Sequence, residues 1–189
     1  MENIYIPSTL SGNLQKLWQN SLPNIEKMLN RRQYEFNSDL QNGFIKFTSD
    51  DKDCLLFLFF SDKLGIEIMR DIIHFSEMNN IKHIILIIQN TYSSNCKKVI
   101  DNLLKYKIEI FELREFQYDI TKLYYFIPHY VVKDEQLIAN IKEKYSSNLP
   151  VILKTDKIVQ YFGFDKGNIV QIHRKDNGHD ETICYRIIK

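Results

Sequence analysis

Two uninterrupted apolar runs constrain the fold of this chain more than any other feature. Leu55–Phe60 has the sequence LLFLFF, and Ile84–Ile88 has the sequence IILII. Strands that are apolar on both faces are typical of parallel sheets covered by helices, because both faces must be shielded from water. Both runs are far shorter than the roughly 20 residues that a membrane-spanning helix needs. We therefore predict two central strands of a buried sheet.

Helical patterns separate these strands. Asp62 is predicted to cap one helix, and Ser93 or Ser94 to open another after the strand His83–Gln89. A third strand is predicted at Ile108–Phe111. The order strand, helix, strand, helix, strand implies right-handed crossovers and a sheet that is at least partly parallel. The first domain is therefore predicted to be α/β.

The segment before these strands has helical spacing of apolar residues from Leu14 to Leu29, interrupted by Pro23. Because proline lacks an amide hydrogen and clashes with the preceding turn, we expect two helices or a kink, with Ser21 capping the restart. A polar loop is predicted at 37–42, followed by a short strand at Phe44–Phe47.

The pattern changes after Tyr125, which predicts domains at 1–125 and 126–189. The second domain is predicted to be a small α+β module with a β-hairpin that turns at Asp176–Asn177–Gly178. Its other predicted elements are a helix from Asp134, a helix at Ile158–Phe162 that ends at Gly163, a turn at Gly167, and the hairpin arms Ile169–Arg174 and Thr182–Ile187.

Charge and cysteine content exclude several classes of protein. The net charge is +1, which argues against autonomous, high-affinity DNA binding. Cys54, Cys96 and Cys184 form no CxxC pair, so we interpret them as small buried side chains in a reducing compartment. The first residues lack a signal-peptide pattern. We expect an intracellular protein without a membrane segment.

A search for catalytic patterns finds no complete site. The glycines do not form a phosphate-binding loop, and the histidines have no metal-ligand spacing, although His173 and His179 lie on facing hairpin arms. Asp50, Asp51 and Asp53 precede a strand as in restriction-endonuclease-like folds, but the following strand lacks the carboxylate and lysine that Mg²⁺ chemistry requires. We therefore predict no catalytic residue, no metal site and no cofactor.

The best candidate for a nucleic-acid contact is the segment TYSSNCKK, at 91–98. Thr91, Ser93, Ser94 and Lys97 surround a predicted helix start, where amide groups favour anions such as a DNA phosphate. The alternative is an ordinary serine-capped helix with solvated lysines, and spacing alone favours that alternative.

The last part of the chain carries a series of ordered landmarks that resembles the H-type small subunit of archaeal RNA polymerase and the equivalent fifth subunit shared by the eukaryotic nuclear polymerases. These landmarks are Pro128, Leu149, Pro150, Asp156, Tyr161, Phe162, Gly163, Gly167, Val170, Ile172, Arg174, Tyr185 and Arg186. The resemblance implies a C-terminal assembly domain within a multisubunit DNA-directed RNA polymerase.

The first domain resembles the jaw domain of the eukaryotic form, through Leu17–Trp18, LLFLFF and IILIIQN followed by SSNCKK. The resemblance implies a nuclease-like fold without an active site. Tyr130, Lys157 and Gln160 depart from the family pattern, which favours a diverged member encoded by a large DNA virus over a cellular one.

The resemblance implies a non-catalytic subunit that docks on the largest polymerase subunit, contacts other subunits, and touches downstream duplex DNA weakly and only within the complex. Arg174 and Arg186 are the predicted interface residues, because guanidinium groups suit partner carboxylates. Tyr161 and Phe162 are either docking residues or core. The alternative is a stand-alone nuclease-fold DNA-binding protein. The expected location is a cytoplasmic viral factory or virion for a viral protein, and the nucleus for a cellular one.

Overall fold

The computed structural model describes residues 6–40, 43–50, 52–175 and 181–189. The chain divides into two units, Met1–Asp119 and Ile120–Lys189. This division lies slightly before the predicted boundary at Tyr125. Within the described residues, no helix combines the length and the apolar character that crossing a bilayer would require.

The first unit alternates helices and strands as the apolar pattern predicts. Its regular elements are α1 (Gly12–Arg31), β1 (Glu35–Asp39), β2 (Phe44–Thr48), β3 (Asp53–Phe59), β4 (Lys63–Leu64), α2 (Ile66–Met78), β5 (His83–Ile88), β6 (Thr91–Tyr92), α3 (Ser94–Asn102), β7 (Lys107–Glu112) and a 3₁₀ helix (Leu113–Phe116).

Five strands form the main sheet, in the order β1-β2-β3-β5-β7. β3, β5 and β7 are parallel, whereas β1 and β2 pair in antiparallel fashion. The prediction of an α/β unit with a partly parallel sheet is confirmed. β5 is buried along its whole length, as its unbroken apolar sequence requires.

Helices cover the two faces of this sheet. Met69 and Ile72 of α2 and Cys96 of α3 pack in one apolar cluster with alternate residues of β3 and β5, such as Leu86. The residues between these point to the other face, because strand side chains alternate. α1 lies on that other face, where Arg32, just after its last turn, binds Glu109 of β7.

Helix α1 corrects the prediction of two helices, because it continues through Pro23. Ser21 does not cap a restart: its hydroxyl donates to the carbonyl of Leu17 (2.9 Å) and to that of Leu113 (3.3 Å). A proline inside a helix costs about 3 kcal/mol. The apolar side chains that α1 buries on both sides of Pro23, such as Trp18 and Ile25, offset this cost.

Two further local predictions are wrong. Residues 35–39, partly predicted as loop, form the edge strand β1, which the pairing with β2 stabilises although its sequence is polar. Asp62 does not cap α2, whose N-cap is Gly65. The carboxylate of Asp62 instead accepts a hydrogen bond from Gln89 Nε2 at 2.7 Å.

The second unit is a small α+β module. Its regular elements are a 3₁₀ helix (Ile120–Lys122), β8 (His129–Val131), α4 (Glu135–Tyr145), a 3₁₀ helix (Ser146–Asn148), β9 (Val151–Ile152), α5 (Lys157–Phe162), β10 (Ile169–Lys175) and β11 (Glu181–Ile188). The strands form one sheet in the order β8-β10-β11-β9.

The predicted hairpin arms are confirmed, since β10 and β11 pair in antiparallel register from Ile169–Ile187 to Lys175–Glu181. The predicted turn at Asp176–Asn177–Gly178, and His179 with it, lie outside the described residues. The end of α5 is confirmed at Gly163, which adopts the left-handed conformation (φ 68°) that glycine accommodates without a steric penalty.

Candidate nucleic-acid and subunit interfaces

The predicted nucleic-acid contact lies where β5 leaves the sheet and α3 begins. Ser93 is the N-cap of α3, and its Oγ accepts a hydrogen bond from the amide of Cys96 at 3.1 Å. The hydroxyl therefore serves the helix, although its hydrogen remains a donor. Thr91, Ser94 and Lys97 lie on the accessible side of this region and are all exposed, whereas Ser93 is half-buried. The predicted capped start of α3 is confirmed.

The tertiary structure adds a cation to this region. β4 pairs in parallel with β6, which places Lys63 opposite Thr91. Lys63 is exposed, as is Lys97 in the first turn of α3. We call Lys63, Thr91, Ser93, Ser94 and Lys97 the α3 N-terminal surface. Sequence reasoning missed Lys63, because the pairing that brings it to Thr91 joins segments far apart in the chain.

The aspartates that resemble nuclease ligands do not converge with other metal ligands. Asp53 Oδ2 lies 2.8 Å from Lys46 Nζ, so the carboxylate forms an ion pair across β2 and β3. Asp50 is exposed, and Asp51 lies outside the described residues. Among the described residues, no group of three or more histidine, cysteine, aspartate or glutamate side chains is placed to share a metal ion.

The first unit also contains a buried network of polar and charged side chains that sequence analysis did not identify. Arg32 donates to both carboxylate oxygens of Glu109 (3.1 and 3.0 Å), and these two side chains are only 4% and 10% exposed. His83 Nε2 lies 2.7 Å from Glu109 Oε1, and its Nδ1 lies 2.8 Å from the hydroxyl of Tyr34. We call Arg32, Tyr34, His83 and Glu109 the buried polar network.

Electrostatics within this network favour an ionised Glu109 and a neutral His83. Burial alone would raise the pKa of Glu109, but the hydrogen bond from His83 and the Arg32 guanidinium outweigh it and lower that pKa to about 2. Burial lowers the pKa of His83 from its ordinary value of 6.5, against the opposing effect of Glu109. A neutral His83 that donates from Nε2 can accept from Tyr34, so every member of the network has a partner.

The three cysteines are free thiols. Burial raises the pKa of Cys54 and Cys96 above the ordinary thiol value. A thiol held protonated is a poor nucleophile and a poor metal ligand. Cys54 and Cys96 therefore serve as small buried side chains, in agreement with the sequence interpretation.

The family landmarks in the second unit occupy positions that shape its backbone. The carbonyl of Pro128 accepts from the amide of His173 (3.1 Å), and the carbonyl of Pro150 accepts from that of Ile187 (2.9 Å). The amide of Gly167, at φ 85°, donates to the carbonyl of Ile188 (2.9 Å). These residues fix the ends of the strands.

Several aromatic landmarks belong to the packing of this unit. Tyr161 is buried, at 7% exposure. Phe162 is half-buried and its ring stacks on Phe164, with centroids 5.4 Å apart and planes 13° apart. Tyr185 packs at the edge of the apolar cluster that contains Ile141 of α4. Burial limits how far Tyr161 can contribute to a docking surface.

The two predicted interface arginines lie on one face of the second sheet. Arg186 is opposite Val170 and Arg174 is opposite Thr182, so both project from the same side of the hairpin. Arg174 is exposed. Arg186 donates from Nη1 to the carbonyl of Val151 at 3.1 Å. This contact holds one guanidinium nitrogen of Arg186 close to strand β9.

Comparison with known families matches residues 118–188 to the model described as "RNA polymerase Rpb5, C-terminal domain". This range covers the second unit, with its hairpin and its landmark prolines and glycines. The second unit is therefore similar to the C-terminal domain of Rpb5 subunits.

Relatives come from cellular organisms and from a virus. The "DNA-directed RNA polymerases I, II, and III subunit RPABC1" of Caenorhabditis elegans is 29% identical over 146 residues, which are 74% of this chain and 69% of that protein. The "DNA-directed RNA polymerase V subunit 5A" of Arabidopsis thaliana is 32% identical over 111 residues, or 57% of this chain and 49% of that protein.

A viral protein gives a match of similar extent. The "Putative DNA-directed RNA polymerase subunit 454R" of Invertebrate iridescent virus 6 is 28% identical over 133 residues, or 64% of this chain and 68% of that protein. The names of all three relatives describe polymerase subunits. The alignments, of 146, 111 and 133 residues, are longer than the second unit (Ile120–Lys189), so the similarity extends into the α/β unit.

Proposed function

We propose that this protein is a non-catalytic subunit of a multisubunit DNA-directed RNA polymerase. The match of residues 118–188 to the Rpb5 C-terminal domain carries the proposal, because it coincides with a separate folded unit of the chain. The names of the relatives support it. Nucleotide addition then takes place in the large subunits, and this chain contributes to assembly.

Within that assembly, we propose that the second unit docks on the largest subunit. Arg174 and Arg186 suit this role, because they share one face and a guanidinium forms bidentate hydrogen bonds with a partner carboxylate. Tyr130, at 52% exposure, also lies on an accessible surface, although on the opposite face of the sheet. The departures from the family pattern at Tyr130, Lys157 and Gln160 indicate that the partner surface has diverged as well.

For the first unit, we propose the role of a jaw that lies along downstream duplex DNA. The α3 N-terminal surface supports this role, since Lys63 and Lys97 are exposed beside a helix start. Contacts of this kind bind phosphates and do not read sequence. With a net charge of +1, such binding would be weak outside the complex.

Co-purification tests the proposed function. A tagged full-length chain, expressed in its native host or with its virus, should bring down two very large polymerase subunits in stoichiometric amounts. Recovery of a monomer, with no large polymerase subunit after gentle lysis, would contradict the proposal.

The alternative, a stand-alone nuclease-fold DNA-binding protein, makes opposite predictions. It requires tight duplex binding that falls steeply with salt, or Mg²⁺-dependent cleavage that Asp53→Ala abolishes. The ion pair of Asp53 with Lys46 and the absence of a metal-ligand group among the described residues give that alternative no support.

The cellular location of this protein depends on which polymerase it joins. We propose that the protein works inside the cell where its polymerase transcribes: the nucleus for a cellular enzyme, or a cytoplasmic factory or virion for a viral one. Mass spectrometry of the co-purified large subunits distinguishes the two, because their peptides identify the genome that encodes them.

A further inference from the structure

Strand β7 lies at one edge of the main sheet and lacks the features that normally protect such an edge. It is six residues long, has the sequence KIEIFE, and pairs with β5 without any shift of register. The opposite edge strand, β1, is mostly polar and has a register shift between Phe36 and Ser38. Bulges, polar residues and prolines keep other chains from pairing with an edge strand. β7 therefore presents a regular edge on which a further strand could pair.

The backbone of β7 has polar groups that the sheet leaves unpaired. In a parallel ladder, alternate residues direct both the amide and the carbonyl to the same neighbouring strand. The amide of Lys107 donates to the carbonyl of Lys82 at 2.9 Å, so the odd-numbered residues of β7 bond to β5. Ile108 and Ile110 consequently direct their amides and carbonyls away from β5, and no described residue pairs with these groups. We call these groups the β7 edge.

The side chains beside the β7 edge are apolar on the side of α3. Ile108 and Ile110 are half-buried and belong to the same apolar cluster as Val99 and Ile100 of α3. Leu104, in the turn that leads into β7, is 93% exposed. Apolar residues of an incoming strand would cover surface that is now partly in contact with water. This side therefore favours an apolar partner.

The opposite side of β7, towards α1, carries a net positive charge. Lys107 and Glu109 both project to this side, because side chains alternate along a strand. The carboxylate of Glu109 is held by Arg32, so two cations accompany one anion. Opposite charges on paired strands attract each other, whereas like charges directly opposite destabilise the pair. The residue opposite Lys107 should therefore be acidic, and the residue opposite Glu109 should not be.

A second copy of this chain fits the β7 edge poorly. Antiparallel pairing of two β7 strands about a two-fold axis through Glu109 would bring Ile108 of each copy opposite Ile110 of the other. Both outward-facing residues would then be paired, but the two Glu109 side chains would lie directly opposite each other. The negative charge at this position disfavours the symmetric arrangement.

Other symmetric registers require backbone groups that are already paired. A shift of the axis to Ile110 needs the amide of Glu112, which donates to Glu115 Oε1 at 3.1 Å. A shift in the other direction needs the amide of Tyr106, which donates to the carbonyl of Leu103 at 3.0 Å. The β7 edge therefore favours a strand of different sequence over a second copy.

We infer that the β7 edge binds an extended segment of a neighbouring polymerase subunit as an added antiparallel strand. Strand addition is a recurring mode of recognition, and antiparallel pairing is slightly more stable per residue than parallel pairing. Apolar residues of the segment lie opposite Ile108 and Ile110, a neutral residue opposite Glu109, and an acid opposite Lys107. The choice of a polymerase subunit as the partner rests on the proposed function, whereas the chemistry of the edge does not.

Binding of a designed peptide to the isolated full-length chain tests this chemistry. The peptide Ac-Thr-Val-Thr-Val-Glu-NH₂ places its valines opposite Ile110 and Ile108 and its glutamate opposite Lys107. NMR follows the backbone amide signals of the two isoleucines, and we expect saturable shifts. Lysine in place of the glutamate should weaken binding about fivefold. The absence of saturable shifts with the glutamate peptide, or tighter binding of the lysine peptide, would overturn the inference.

A peptide with both valines N-methylated tests whether backbone hydrogen bonds hold the strand. It lacks the donors to the carbonyls of the β7 edge, so it should bind at least about tenfold more weakly than the unmethylated peptide. Equal binding of the two peptides would show that the edge is not a strand-pairing site.

A proline variant of the chain tests the same pairing from the other side. Ile110→Pro removes an outward amide and leaves the bonds to β5, since proline is tolerated on edge strands where its nitrogen faces solvent. Its affinity for the peptide should fall about tenfold. Ile110→Val keeps the amide and is the matched control, with wild-type affinity expected. Equal affinities of the two variants would contradict the inference. If fluorescence of the buried Trp18 shows that Ile110→Pro does not fold, the N-methylated peptide still decides.

Photo-cross-linking in the assembled polymerase tests the partner. Leu104 is replaced by p-benzoylphenylalanine, and mass spectrometry identifies the attached peptide. We expect a segment of another subunit with two apolar residues two positions apart and an acid directly after the second. Phe36 of β1, which is 51% exposed, is the control position and should not attach to that segment.

Attachment of the Leu104 position to a segment without this pattern, or to no other subunit in a polymerase that contains the chain, would overturn the choice of partner. If the chain joins no polymerase at all, the proposed function fails, while the peptide titration still decides the chemistry of the β7 edge.

Discussion

The arginine ion pairs of the first unit and the helix caps of the second unit join residues at very different distances along the sequence. In the first unit, the hydrogen bonds from Arg32 to Glu109 join residues 77 positions apart, and those from Arg31 to Asp119 join residues 88 positions apart. In the second unit, Asp134 and Asp156 cap their own helices within three residues. Local contacts leave a fixed spacing in the sequence, whereas long-range contacts do not. The helix caps are therefore predictable from the sequence, whereas the ion pairs are not.

The largest effect is expected from breaking the buried polar network. Glu109→Ala leaves the Arg32 guanidinium buried without its counter-ion, which typically costs about 3–5 kcal/mol. The single tryptophan, Trp18, is fully buried in the first unit, so its fluorescence during urea unfolding reports on that unit.

Asp53→Ala is the matched control for that change. It removes an ion pair whose side chains are 28% and 40% exposed, and such pairs contribute about 0–1 kcal/mol. Equal losses for Glu109→Ala and Asp53→Ala would contradict the view that the buried network anchors α1 to the sheet.

Acidification should weaken the first unit in two steps. The lowered pKa of His83 means that the unfolded chain takes up a proton first, so stability falls as the pH drops below about 6.5. Glu109, with a pKa of about 2 against an ordinary 4.5, contributes stability that is present above pH 4.5 and is lost as the pH falls towards 2. Trp18 fluorescence across a pH series measures both steps.

Glu109→Gln separates these steps, because it removes the carboxylate that titrates at low pH. The variant should lose the lower step and retain a fall in stability near the pKa of histidine. A pH profile identical to that of the wild type would show that the network does not control the acid sensitivity of this unit.

A smaller effect is expected in the second unit, at the end of α5. Gly163→Ala places a side chain at φ 68°, which costs about 1–2 kcal/mol. Amide hydrogen exchange in the β10–β11 hairpin should speed up accordingly.

Gly12→Ala, at the first position of α1, adds a methyl group that would meet no neighbouring side chain within 4 Å, so it should be neutral or slightly stabilising. Comparable destabilisation by both changes would argue against a special role for the left-handed turn.

The smallest effect on folding is expected at the α3 N-terminal surface, where the consequence is functional. Lys97 is exposed, so Lys97→Glu should change the free energy of unfolding by no more than about 0.5 kcal/mol. In the assembled polymerase it should reduce cross-linking of this subunit to downstream duplex. Lys105→Glu, also exposed but beyond the end of α3, is the control. Equal cross-linking by the two variants would remove the support for a DNA contact at Lys97.

The sequence predicted those elements whose signals are local. The apolar runs of β3 and β5, the capped start of α3, the end of α5 at Gly163 and the two hairpin arms all appear in the structure. It failed where tertiary contacts override local preference. β1 is polar but pairs with β2, and α1 continues through Pro23 because its apolar face is buried.

The residues of the candidate sites show the same contrast between local signals and tertiary contacts. Thr91, Ser93, Ser94 and Lys97 were predicted from a contiguous segment, whereas Lys63 joins them only through the pairing of β4 with β6. Gln89 and Asp62 gave no signal as a pair, since they are 27 positions apart. Asp62 was predicted as a helix cap, and the structure assigns its carboxylate to Gln89 instead.

By itself, the sequence determined the class of each unit, because apolar periodicity and the positions of proline and glycine restrict the backbone directly. It also carried the similarity of the second unit to the Rpb5 C-terminal domain, because the landmarks of that unit are backbone positions that tolerate few alternatives. Only the tertiary structure decided which charges are buried together, as in Arg32 and Glu109, and that Gln89 Oε1 has no donor among the described residues. Those properties depend on side chains from distant segments meeting out of water, where hydrogen bonds and charges have their largest effect.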